Sequence, residues 1–119
     1  MNVVLWIFQV TLALLFIMAG LIKALQYIKA KEAMAWVSDV PKGLVIFVGY
    51  AELLGAIGLI LPMALGTLEF LTPVAGFAFA FIMLFAAIFH VNRKEYETIP
   101  MIFILLFISL FIGIGRLFF

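Results

Sequence analysis

Residues 71–89 contain no charged side chain. A helix of that length rises about 1.5 Å per residue and nearly spans the roughly 30 Å hydrocarbon core of a bilayer. Three further stretches are almost as apolar. Residues 3–22 are interrupted only by Gln9 and Thr11, residues 44–62 carry Glu52 as their one charge, and residues 101–119 carry Arg116 near their exit. Together the four leave no linker long enough for a second domain, so residues 1–119 read as a single transmembrane domain. The fold class expected is all-α, an integral membrane four-helix bundle. Composition supports this: 69% of the 119 residues are hydrophobic and 11% charged, against about 45–50% and about 25% in soluble domains. A small water-soluble domain leaves too much surface exposed to hide such a chain.

The same numbers exclude other classes. Disordered and collagenous chains are far less apolar, and with no cysteine a disulfide scaffold, a zinc-thiolate site and thiol redox chemistry are all absent. The formal net charge of +1 and the scatter of the cations offer nothing to nucleic acid. The N-terminal run lacks a basic leader and a small-residue cleavage site, so it reads as a retained span.

The breaks between spans have recognisable chemistry. Ser38 or Asp39 is expected to cap the second span, with Pro41 in its first turn. Pro62 and Gly66 are expected to end it, and Thr72-Pro73 to open the third. Asn92 with the run Arg93-Lys94-Glu95 stops the third, and Pro100 starts the fourth. Of the seven Lys and Arg residues, Lys23, Lys29, Lys31, Lys42, Arg93 and Lys94 fall in the first and third connections, and Arg116 falls at the opposite end. The excess of positive charge places connection 23–43 in the cytoplasm and both termini outside it. Within that connection, residues 25–37, with Tyr27 and Trp36, suit either a short interfacial helix or a solvated loop.

Membrane helices associate through small residues and hydrogen bonds, because lipid is as apolar as leucine. Small and polar residues at helical spacing therefore mark the inward faces: Gln9, Ala13, Phe16, Gly20 and Lys23; Gly49, Glu52, Gly55 and Ala56; Gly76, Ala80, Met83, Ala87 and His90; Ser109, Gly113 and Arg116. Large Phe and Leu side chains mostly take the other faces. The candidate ligand-binding or proton-linked residues are thus Glu52, Gln9, Lys23, His90 and Arg116.

Glu52 stands out, since an ionised carboxylate at mid-membrane costs about 2.5–3.5 kcal/mol even on insertion scales. It reads either as a proton carrier or ligand anchor, or as a carboxyl that locks packing by bonding Gln9, Tyr50 or backbone. Counting from the span ends, Lys23 lies about ten residues away in depth, or about 15 Å. Direct pairing is therefore not expected unless the helices tilt or the lysine reaches upward, and the carboxyl is expected to face Gln9 or water reached from the His90 and Lys23 end. Lys23 and Arg116 near span ends read first as snorkelling anchors. His90 at a helix C-terminus reads first as a dipole-complementing cap. Tyr27, Tyr50 and Trp36 read as interface or packing residues. No metal site is expected, because His90 is alone and Glu95 and Glu97 would be weak, water-exposed partners.

Three segments and two helix ends carry a family resemblance. MAGLIKAL around Lys23, MAWVSDVPKG before the second span and GYAELLGAIGLILP around Glu52, with His90 ahead of the Asn92–Glu95 turn and Arg116 near the end, resemble the DoxX-like membrane proteins over nearly the whole chain. That resemblance implies a small four-span protein of the bacterial inner membrane with a quinone-linked or redox-associated role. No cofactor is evident in the residues themselves. The chain is therefore expected to act as a non-catalytic or auxiliary subunit that binds a quinone- or lipid-like ligand, a membrane redox partner or a second copy of itself. Two alternatives stand beside it: a membrane chaperone, and a proton-coupled small multidrug transporter. The transporters resemble one another in a first-span carboxylate, which is absent here. A sterol-isomerase-like bundle ranks last, because alkene protonation calls for paired acids.

A reporter fused after Phe119 should read as non-cytoplasmic and one inserted near Lys31 as cytoplasmic. The reverse pattern would show that another signal outweighs the charge bias.

Overall fold

The computed structural model describes residues 2–118. It is helical throughout, with four helices long and apolar enough to cross a membrane. These are α1 (Asn2–Leu25), α3 (Lys42–Leu65), α4 (Leu71–Asn92) and α5 (Ile99–Phe118). Between α1 and α3 run a short helix, α2 (Tyr27–Ala33), and a 3₁₀ segment, Ala35–Asp39. The short 3₁₀ turn Tyr96–Thr98 precedes α5. The connection between α1 and α3 therefore holds a short helix followed by a tighter turn, closer to the short-helix reading than to a loop.

Local chemistry sets these boundaries, with three departures from expectation. Val40 is held extended (φ −127°, ψ 160°), as the residue before a proline must be. No side-chain cap is made at the start of α3, where Pro41 occupies the N-cap position. Asp39 instead bonds Arg93, a stronger, charge-assisted partner than an amide at the helix start. Pro62 does not end α3. It lies inside the last turns, and the helix runs to Leu65 before Gly66 closes it at φ 69°. Thr72 and Pro73 fall in the first turn of α4, which begins one residue earlier at Leu71, and Pro100 falls in the first turn of α5, after Ile99.

Pro62 also ties helices together. Lacking an N–H, it cannot bond the carbonyl four residues back, at Gly58. The Thr72 hydroxyl donates to that oxygen from α4 at 3.1 Å, so a defect in one helix becomes a fastening to the next. One residue on, the Leu59 carbonyl accepts Gln9 Nε2 from α1 at 2.6 Å.

The bundle is built from two tight pairs, α1 with α3 and α4 with α5, which meet each other more sparsely. Each pair closes on glycine. A Cβ added at Gly49 would lie 2.6 Å from the Ala24 nitrogen and 2.9 Å from the Gly20 carbonyl. One added at Gly76 would lie 2.8 Å from the Gly113 nitrogen. Most of the inward stripes read from the sequence are buried: Gln9, Ala13, Phe16, Gly20, Gly49, Glu52, Ala56, Gly76, Ala80, Met83, Ala87, Ser109 and Gly113 are buried, and Lys23, Gly55, His90 and Arg116 partly so. The expectation that large side chains keep to the outer faces holds only in part. Leu5, Leu12, Leu59, Phe79 and Ile112 are fully enclosed, because the space between the two pairs is too wide for small residues to fill.

Replacing Gly49 by leucine should force the α1–α3 crossing apart and destabilise the protein by about 1–3 kcal/mol. Gly43→Ala, where an added Cβ meets nothing within 4 Å, should be neutral. Thermal unfolding of the two variants in one detergent checks this; equal midpoints would show that the glycine crossing is not a tight contact.

Candidate functional site

Lys23 and Glu52 form a direct ion pair, Nζ to Oε1 at 2.6 Å, with side chains 14% and 2% exposed. This corrects the expected separation. Helix ends do not set the alignment; α1 and α3 are aligned by the Gly20–Gly49 contact. That crossing places the Lys23 Cβ beside Gly49, leaving Glu52 only one turn, about 4.5 Å, deeper. The flexible lysine stem spans that gap. Lys23 is thus no snorkelling anchor: its charge turns into the bundle and sits 5.6 Å from the centre of the Trp36 ring, in reach of a cation–π contact.

Gln9 does not face Glu52. Besides its bond to Leu59 it accepts Arg116 Nε at 2.5 Å, and Arg116 Nη1 reaches Asn2 Oδ1 at 2.7 Å. Arg116 also lies 5.5 Å from the Trp6 ring centre. Like Lys23, it turns inward rather than serving as a simple anchor. The five candidate residues therefore divide. Lys23, Glu52 and His90 gather at the end of the bundle that carries the charged connections, while Gln9 and Arg116 form a separate polar tie between α1 and α5 at the opposite end.

Between the helix pairs at the first of these ends lies a cavity of about 480 Å³, lined by Lys23, Glu52, Trp36 and His90 among otherwise apolar side chains such as Phe16, Met83, Phe89 and Ile102. Near it Phe16 of α1 and Phe79 of α4 stack with centroids 4.0 Å apart and planes within 10°. The Phe79 ring is accommodated against Gly55. Gly55 on the inward stripe thus receives an aromatic ring of α4.

The segment Ala35–Asp39 forms part of the cavity wall. Trp36 packs edge-on against Phe89 and His90, and Val37 is fully buried against Ala30 and Val45. A chain of charges fastens it: Asp39 Oδ2 accepts Arg93 Nη1 at 2.7 Å, Arg93 Nε donates to Glu95 Oε1 at 2.7 Å, and the same oxygen lies 3.1 Å from His90 Nδ1. The hydrogen bond from Arg93 holds the Glu95 carboxyl below the ordinary glutamate range. Glu95 is folded back and only partly exposed, not the loose, water-exposed neighbour of His90 that its position in the sequence suggested. Trp36, which the sequence suggests only as an interface or packing residue, lines the cavity without being among the five candidate residues. Its only signal was an aromatic in a short amphipathic stretch.

An apolar cavity with a few convergent polar groups has the character of a small-molecule site. A four-span helical membrane bundle with charged connections at one end is the class of protein that sequence and fold define. The chain belongs to the DoxX-like family, which it matches over residues 7–112. No curated protein and no solved structure matches it significantly.

Removing one member of the ion pair leaves the other charge without compensation. Lys23→Met and Glu52→Leu should each cost about 3–5 kcal/mol, while the double variant should recover most of that loss. Gln9, engaged elsewhere, should be insensitive to Glu52. A double-mutant cycle on unfolding in detergent measures the coupling; strictly additive losses would mean that the pair contributes no mutual stabilisation.

Proposed function

We propose that the protein is an auxiliary, non-catalytic membrane subunit whose cavity binds a quinone- or lipid-like molecule. The observation that carries this reading is the cavity itself, aromatic and aliphatic on most of its wall, with the Lys23–Glu52 pair at its polar end. The lysine ammonium has three donors and gives one to Glu52, so others are free for a ligand oxygen. Trp36, Phe16 and Phe89 offer flat surfaces to a ring or an isoprenoid chain. Leu44 and Phe85 line the cavity and are also exposed on the flank of the bundle, the face that meets lipid. A hydrophobic ligand would enter from the membrane by that route. The positive charge of the connections supports an orientation with this end in the cytoplasm, and membership of the family supports a bacterial inner membrane. A cationic drug exchanged for a proton at Glu52 is a poorer fit, because Lys23 already occupies the carboxylate.

The test is organic extraction of protein purified from its membrane, followed by mass spectrometry. An isoprenoid quinone or neutral lipid should be enriched several-fold over the bulk lipid profile. Ala19→Leu, which fills the cavity wall, should remove that enrichment without lowering expression. A wild-type extract that only mirrors bulk lipid would overturn the reading.

A further inference from the structure

The charges that line the cavity cancel. Lys23 and Glu52 sum to zero wherever the proton between them resides, and at 2.6 Å each is the nearest partner of the other. At the rim, Arg93 faces two carboxylates, Asp39 and Glu95, with His90 against the second. That group is at most neutral. Among the described residues that line the cavity, no cation is left without a carboxylate, so no lining charge compensates an anionic headgroup drawn into an apolar space. Burying such a charge without a partner is strongly unfavourable. A neutral head bearing an oxygen acceptor meets no such penalty and can still take a hydrogen bond from the Lys23 ammonium.

We infer that the cavity is selective for uncharged amphiphiles over anionic ones, and that Glu52 sets this selectivity by cancelling the charge of Lys23. The inference rests on the ligand-binding reading and adds the class of head the site accepts. In the bare membrane an exposed lysine at this depth would attract phosphate or carboxylate headgroups; with Glu52 beside it, the lysine keeps its donor function and loses its attraction for anions.

Oleyl alcohol and oleyl sulfate share a chain and differ in the charge of the head, which makes them suitable probes. Equilibrium binding of the two radiolabelled compounds to the full chain in zwitterionic nanodiscs should favour the alcohol at least about tenfold. Glu52→Gln, which leaves Lys23 uncompensated, should narrow or invert that ratio by about tenfold or more. Lys23→Gln with Glu52→Gln, neutral again, should restore the preference. Equal wild-type binding of both probes, or an unchanged ratio in Glu52→Gln, would overturn the selectivity while leaving the ligand reading intact. Binding of neither probe would overturn both. The wild-type ratio alone decides the question if Glu52→Gln does not fold.

Discussion

The close approach of Gly20 to Gly49 sets the register between α1 and α3, and the polar interior depends on that register. Lipid gives two apolar helices no reason to prefer one alignment over another, so the alignment is decided where backbones can touch. Here the touching point lies one turn from both Lys23 and Glu52. The crossing therefore brings a cation and a carboxylate together inside the membrane, where each would be costly alone. A shift of one helical turn would separate them and leave two unpaired charges. The ion pair thus penalises wrong registers as strongly as the glycines permit the right one.

The second consequence is a space between the pairs. At the end opposite the charged connections, Leu5 against Gly115, Gln9 against Arg116 and Phe8 against Phe111 draw α1 and α5 together. At the other end, α1 with α3 and α4 with α5 are bridged instead by the Ala35–Asp39 segment and the Arg93 contacts. The cavity occupies the region those connections leave open. Phe16 in its wall stacks on Phe79, and its single buried carboxylate is already paired with Lys23.

The four spans, their inward faces and the identity of the polar residues were legible in the sequence, because small-residue stripes at helical spacing follow from the physics of packing in lipid. Their pairing was not. Depth counted from span ends placed Lys23 and Glu52 about two to three turns apart, since helix ends carry no information about where two backbones touch. Depth alone likewise pairs Gln9 with Glu52, whereas the carbonyl of Leu59 beside the Pro62 defect and the Arg116 guanidinium claim both ends of its amide. Trp36 and the Asp39–Arg93–Glu95–His90 chain lie in connections too short for periodicity. The contact between Asp39 and Arg93 joins segments 54 residues apart, beyond what local spacing can reveal.

A distance measured in a bilayer tests the register of α1 against α3 most directly. Rotational-echo double-resonance NMR between ¹⁵Nζ of Lys23 and ¹³Cδ of Glu52, in protein labelled at those residue types and assigned with Lys23→Met, reads the pair without perturbing it. Strong dephasing is expected, consistent with the 2.6 Å contact between Nζ and Oε1, and it should disappear in the Lys23→Met control. Absence of dephasing in the folded wild-type protein would contradict the register, and with it the neutral cavity built upon it.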